Sequence, residues 1–224
     1  MIGLRKVLFM TTSQDNVKEQ EDAEKAKEQL KELVNALHHN GIVALQSQFE
    51  DCKVDGQATQ HNVYGPMFTF RVTKENGNAY VCGFFLRELL TTFQTRPNPA
   101  LWMSSFFVDL MKSPESVLLP RPPQNEDEAK ALMDGKILPG CFGAIKEEFD
   151  PDEIYSGLDI HPEHGPVLEA GFPRYKDGNN VVAMPLHLLL AHFLMNRDPS
   201  DLIIDGLYRI LEEQEKAECE QPQA

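Results

Sequence analysis

The stretch PMFTFRVTKENGNAYVCGFF, residues 66–85, holds two apolar, partly aromatic runs, PMFTFRV and AYVCGFF, joined by TKENGN. Asn76 and Gly77 tolerate the positive φ that a tight connection between antiparallel strands needs, so this pattern predicts a β-hairpin. A second hairpin is expected near residues 170–184, where AGFPRY and NVVAMP flank KDGN and Asp177 and Gly178 supply the turn.

Around these hairpins the chain reads as helix. Ser13 or Asp15 can accept the orphan N–H groups of a first turn. After them Ala23, Ala26, Leu30, Leu33, Val34 and Leu37 recur at three- and four-residue spacing, which lines one face of an amphipathic helix. Asn40 and Gly41, in HHNG, are expected to stop it, with His38 and His39 complementing the dipole of its last turn and IVALQSQF following as a strand. A short strand is also expected at GLRKVLFM, near the start of the chain. LRELLTTF reads as a short helix ended by RPNP, and ALWMSSFFVDLMK as an apolar helix offering Leu101, Trp102, Phe106 and Leu110 to the core.

SPESVLLPRPPQ carries four prolines in twelve residues and reads as a boundary, with a crossing strand at SVLLP as the alternative. Asn125 can cap a helix EDEAKALMD with Glu128 at the capping-box position, and Gly135 is expected to end it. KILPGCFGAI then reads as a strand broken by a turn, and the residues from EEFDPDEIYSGL to Pro173 as a long polar loop. Two helices close the chain, one near PLHLLLAHFLMN and one from Asp198 and Pro199, where a missing N–H costs nothing. The stripe of that last helix is Leu202, Ile203, Leu207, Ile210 and Leu211, and EEQEKAECEQPQA is expected to fray into a polar tail. The sum is an α+β fold: a mixed or antiparallel sheet built on the two hairpins, with the N-terminal amphipathic helix and two C-terminal helices packed on it. No repeat of fixed period is evident, although helix and hairpin elements occur in both halves.

With 224 residues, 42% of them hydrophobic and 25% charged, the chain is long enough to bury a core as one domain or two. No run approaches the roughly 18 apolar residues of a membrane span, and VLFM is too short for the core of a secretory signal. The four cysteines are scattered and form no CxxC pair, which fits reduced thiols in a cytoplasm.

The net charge of −14 is unevenly spread. Residues 1–112 hold 12 basic and 13 acidic residues, whereas residues 113–224 hold 9 and 22. The chain therefore divides into a near-neutral half, 1–112, and an acidic half, 113–224, either as two units or as one continuous domain. Such a field repels nucleic-acid phosphates and favours a basic protein partner, or serves solubility alone.

The candidate chemistry lies in GLDIHPEHGPVLEAGFP, residues 157–173. His161 and His164, three apart and near Asp159, Glu163 and Glu169, are a possible divalent-metal set that would activate water in a hydrolase. Pro162 disfavours a helix there, and no third ligand is set by spacing, so a solvated loop is the alternative. His187 and His192, five apart, point about 140° away from each other on a helix and read as core histidines. Cys141 between Gly140 and Gly143 reads as a buried thiol in a tight turn or, with a histidine nearby, a nucleophile. Trp102, Phe106, Phe107, Phe84 and Phe85 read as core or as an aromatic hot spot. Phosphate-binding, dinucleotide, nucleophile-elbow and EF-hand motifs are absent, and no cofactor is indicated. The expected function is a non-catalytic, inhibitor- or immunity-like regulatory protein. Its acidic second half, through Asp150, Asp152, Glu153, Asp159, Glu163 and Glu169, would bind a basic protein, with no direct nucleic-acid or membrane contact. A metal-assisted hydrolase and an acidic nucleic-acid mimic are the alternatives.

Overall fold

The computed structural model describes residues 13–61, 65–173 and 179–220. The fold is α+β, with two three-stranded antiparallel sheets and helices packed on them. In the first half, helix α1 (Ser13–Gln46) precedes strands β1 (Lys53–His61), β2 (Gly65–Thr73) and β3 (Ala79–Phe85), which pair in the order β1-β2-β3. Helices α2 (Leu86–Thr95) and α3 (Pro99–Leu110) follow. In the second half, α4 (Glu126–Leu132) continues through a π turn (Met133–Ile137) into α5 (Leu138–Phe149). Strands β4 (Tyr155–His161), β5 (Gly165–Pro173) and β6 (Asn179–Pro185) then pair in the order β4-β5-β6, and α6 (Leu186–Leu194) and α7 (Ser200–Glu220) close the described chain.

Both strand pairs fall where the hairpins are expected, and in the first the turn chemistry is seen directly. Gly77 has φ 87°, its N–H donates to the Lys74 carbonyl at 2.9 Å, and the Asn76 side chain accepts from the Asn78 N–H at 3.0 Å. Phe68, Phe70 and Val72 of β2 and Tyr80, Cys82 and Phe84 of β3 share one sheet face, by the period of two, and all are buried. Leu37 and Leu45 of α1, Leu89 of α2, and Met103 and Phe107 of α3 close this first core. Each fully buried Phe or Leu contributes about 1.5–3 kcal/mol relative to exposure.

A second core gathers Leu168 and Ala170 of β5, Ile145 of α5, Leu189 of α6, and Ile203 and Leu207 of α7. The two halves are versions of one plan, which corrects the expectation of no fixed-period repeat. In the first half β2 runs antiparallel to β3 with Phe70 opposite Cys82, and in the second β5 to β6 with Ala170 opposite Val182. His61 faces Gly65 across the first turn, and His161 faces Gly165 across its counterpart. Asn98-Pro99 and Asp198-Pro199 open α3 and the turn into α7, so the offset is 100 residues from the first strand pair to the last helix. Most side chains have diverged, but beside the turn and cap residues the apolar stripe of α2 keeps the period in α6, with Leu86, Leu89, Leu90 and Phe93 recurring as Leu186, Leu189, Leu190 and Phe193.

Several expected boundaries differ. Helix α1 does not stop at Asn40 and Gly41 but runs on to Gln46, so IVALQ is helical rather than strand. Gly41 serves packing: a Cβ there would lie 2.4 Å from the tip of the Phe70 ring, so its absence lets α1 approach the sheet. His38 consequently sits within the helix, stacked against Phe68 and Phe70 at 6.2 and 6.0 Å, and not in a capping turn. Gly135 likewise does not end α4. Pro139, near the start of α5, cannot donate and would crowd the preceding turn of an α-helix, and the wider π turn before it relieves that conflict. KILPGCFGAI is therefore helix, not a broken strand, and Cys141 is buried on α5 rather than held in a turn. The long polar loop is the β4–β5 hairpin, and the helical part of the final tail reaches Glu220. GLRKVLFM, Asp177 and Gly178 lie outside the described residues.

Residues 114–124 link the halves without forming a regular strand, although Val117 makes an isolated parallel bridge to Tyr80. The second half also reaches back directly. The Gly83 N–H donates to the Met195 carbonyl at 2.9 Å, and Asn196, in the left-handed conformation with φ 58°, donates its side-chain N–H to the Val81 and Leu118 carbonyls at 2.7 and 3.1 Å.

Candidate functional site

Two regions compete. The first is the β4–β5 hairpin, which holds most of the residues singled out from sequence. Asp159, His161, Glu163 and His164 are exposed on the hairpin or its turn, and Glu169 is half-buried on β5. Asp150 stands in the left-handed conformation at the C-terminal end of α5, with φ 42°, and pairs with Lys146 at 3.0 Å. Asp152 and Glu153 are exposed in the connection to β4.

The two imidazoles do come together, stacked with ring centroids 4.6 Å apart, and His161 Nδ1 accepts from the Glu163 N–H at 3.2 Å. No third ligand joins them: among the described residues no group of three or more histidine, cysteine, aspartate or glutamate side chains is arranged to hold a metal. Glu169 instead accepts from the Tyr155 hydroxyl at 3.2 Å, a contact that, with the charges of Glu169 and Asp159, raises the phenol pKa. Cys141 is poorly placed for nucleophilic work, because burial, helped by Asp198, pushes its thiol up to about 12.

Among the described residues strand β4 lies at the edge of its sheet, with β5 on one side only. Alternation gives its two faces different chemistry. Leu158 and Ile160 point to one face and are 68% and 76% exposed, while Tyr155, Asp159 and the cross-strand Glu169 share the other. In the first half α1 packs along β1, but the helices of the second half leave the corresponding face of β4 open.

The second region is a cleft of about 1120 Å³ between α2 and α3 of one half and α6 and α7 of the other. Its walls include Arg87, Glu88 and Arg96, Trp102 and Phe106, and His192, Arg197, Asp201, Asp205 and Arg209. At its floor Arg197, 7% exposed, donates to both carboxylate oxygens of Glu88 at 2.6 and 2.5 Å, and its guanidinium lies 4.4 Å from the Phe106 centroid and 5.6 Å from that of Trp102. His192, 3% exposed, is held neutral: burial first and then the Arg197 charge lower its pKa to about 3. Asp201 keeps an exposed edge. Partial desolvation in the wall and the neighbouring carboxylate of Asp198 nevertheless raise it to about 6, against the pull of Arg197.

Sequence reading missed this cleft. Its residues come from positions 85–106 and 188–209, and neither stretch contains a recognisable motif. The only available signal was that four of the eight arginines, Arg87, Arg96, Arg197 and Arg209, recur in two windows about a hundred residues apart. Trp102 and Phe106, expected in the core or a hot spot, are half-buried in its wall, while Phe84 and Phe107 are core.

The architecture defines an α+β protein of two like halves joined through α6 and the turn after it. Comparisons with protein-family models, with curated proteins and with solved structures found no match.

Proposed function

We propose that this is a non-catalytic cytoplasmic binding protein that docks a basic protein segment along the free edge of β4. The observation that supports the reading is the two-sided character of that edge: Leu158 and Ile160 exposed on one face, Asp159 and Glu169 on the other. A strand added there would hydrogen-bond to the β4 backbone groups that face away from β5, taking the Ile160 N–H from the Asp159 carboxylate that now accepts it at 2.7 Å, and would alternate apolar with basic side chains to match. Asp150, Asp152, Glu153 and Glu163 flank the strand and would steer a cationic partner towards it. A nucleic-acid mimic would need acids without the intervening apolar residues.

The test uses the full chain and two synthetic decapeptides, one alternating Lys and Val, the other Glu and Val. The Lys/Val peptide should perturb amide resonances of residues 155–161, bind less tightly as salt rises, and lose affinity with Ile160→Asp. Equal binding of both peptides, or perturbation confined to other residues, would remove the reading.

A further inference from the structure

The cleft between the halves carries an inference independent of the β4 edge. Its charges are unequally divided between the walls: Arg87 and Arg96 outnumber Glu88 on the α2 side, and Asp201 and Asp205 outnumber Arg209 on α7. Arg87 and Arg96 stand on and just after α2, next to the hydroxyls of Thr91 and Thr95, while Asp201 and Asp205 stand on α7. Among the described residues no carboxylate lies within ion-pairing distance of Arg87, Arg96 or Arg209. Four arginines and no lysine in one cleft of a chain with net charge −14 place guanidinium donors where the surrounding field alone would repel an anion.

Two buried polar atoms along the same lining have no partner, Nε of Arg197 and Nδ1 of His192. Such groups lose their hydration on folding and recover it only from a bound molecule or water. Phe85, Trp102 and Phe106 add apolar surface, and a concavity of this size holds more than a single ion.

We infer that the cleft binds a short zwitterionic peptide, its carboxylate on the guanidinium groups of Arg87 and Arg96 and its ammonium group on the carboxylates of Asp201 and Asp205. The walls supply opposite charges across the gap, the threonine hydroxyls can meet peptide backbone groups, and the rings of Trp102 and Phe106 can flank a side chain. The Arg197–Glu88 pair holds the floor rigid between them and is not itself required to contact the ligand's charges.

Trp102 is the only tryptophan in the chain and lies in the wall, so the protein carries its own reporter. Tryptophan emission and calorimetry would follow titration of the full chain with trialanine and the tripeptides Ala-Leu-Ala and Ala-Phe-Ala, each free, N-acetylated and C-amidated. At least one free tripeptide should give a saturable emission change with matching heat, and blocking either terminus should weaken it about tenfold, as expected for loss of a charge-assisted hydrogen bond. Arg87→Gln and Asp205→Asn, both at exposed positions, should each weaken binding similarly while leaving circular dichroism and Tm unchanged; Lys130→Gln, remote from the cleft, should leave binding unchanged. Absence of both signals for every free tripeptide would overturn the inference. So would binding that is indifferent to terminal blocking or to both cleft variants.

Discussion

Arg197, carried by the turn between α6 and α7, reaches out of its own half to place one guanidinium nitrogen 2.6 and 2.5 Å from the two carboxylate oxygens of Glu88 on α2. The side chains are 5% and 24% exposed, and the guanidinium is packed against Phe84, Trp102 and Phe106. One charged contact thus ties the second half to the aromatic wall of the first.

Breaking that pair from one side leaves a buried charge without its partner. Glu88→Ala should lower unfolding stability by about 3–5 kcal/mol, whereas the double variant Glu88→Leu with Arg197→Met should recover much of the loss. Urea denaturation of both variants checks this; a Glu88→Ala protein as stable as the parent would contradict the buried pairing.

Acidification should weaken the fold through His192. Its pKa falls from the ordinary 6.5 to about 3 in the folded chain, so the unfolded chain binds a proton first. The stability present above pH 6.5 is therefore lost progressively as pH falls towards 3. Asp201 acts in the opposite sense: raised from 3.8 to about 6, it disfavours the folded state above pH 6 and is relieved as pH drops through 6 towards 3.8. The larger histidine shift wins. Tm should fall between pH 7 and pH 5, the fall should be smaller in His192→Asn, and Asp201→Asn should make it steeper.

Glycines at three positions should respond differently to alanine. Gly41→Ala would set a Cβ against the Phe70 ring and cost about 1–3 kcal/mol by overpacking. Gly171→Ala should cost more, because its Cβ would lie 1.8 Å from the carbonyl oxygen of Asn180, on the paired strand. Gly143, in α5 with open space around it, should gain about 0.5–1 kcal/mol of helix stability as alanine. Thermal denaturation of the three variants tests the order.

Thiol chemistry should separate the three described cysteines. Burial, opposed by Arg197 and reinforced by Glu88, pushes Cys82 up to about 12, and Cys141 is raised to about 12 as well, while Cys52 is only half-buried. In native protein an alkylating reagent should modify Cys52 well before Cys82 or Cys141, with all three reacting alike in denaturant. Peptide mass mapping over time gives the order, and early labelling of Cys141 would contradict its burial.

The sequence by itself determined what short-range chemistry controls. Asn76 and Gly77 dictated the first hairpin because few other residue types accept that turn. Asn125 dictated one helix start, its side chain accepting from the Glu128 N–H as expected, and Asn98 caps α3 in the same way, accepting from the Leu101 N–H. Asp198 and Pro199 marked the entry to the last helix, where the Asp198 carboxylate accepts from the Ser200 N–H and hydroxyl. Alternating apolar residues decided which face of β2 is buried, but not of β4, whose Leu158 and Ile160 stay exposed.

Only the tertiary structure decided what a residue faces. Gly41 and Gly135 look like helix stops, and whether they stop a helix depends on what packs against them: the ring of Phe70 rewards continuation at one, and a π turn carries the chain through the other. Charge convergence is equally non-local. Arg87 and Asp205 line one cleft only because two similar halves dock through Met195, Asn196 and Arg197, and the free energy of that docking comes from contacts between residues about a hundred positions apart, which no local pattern in the chain encodes.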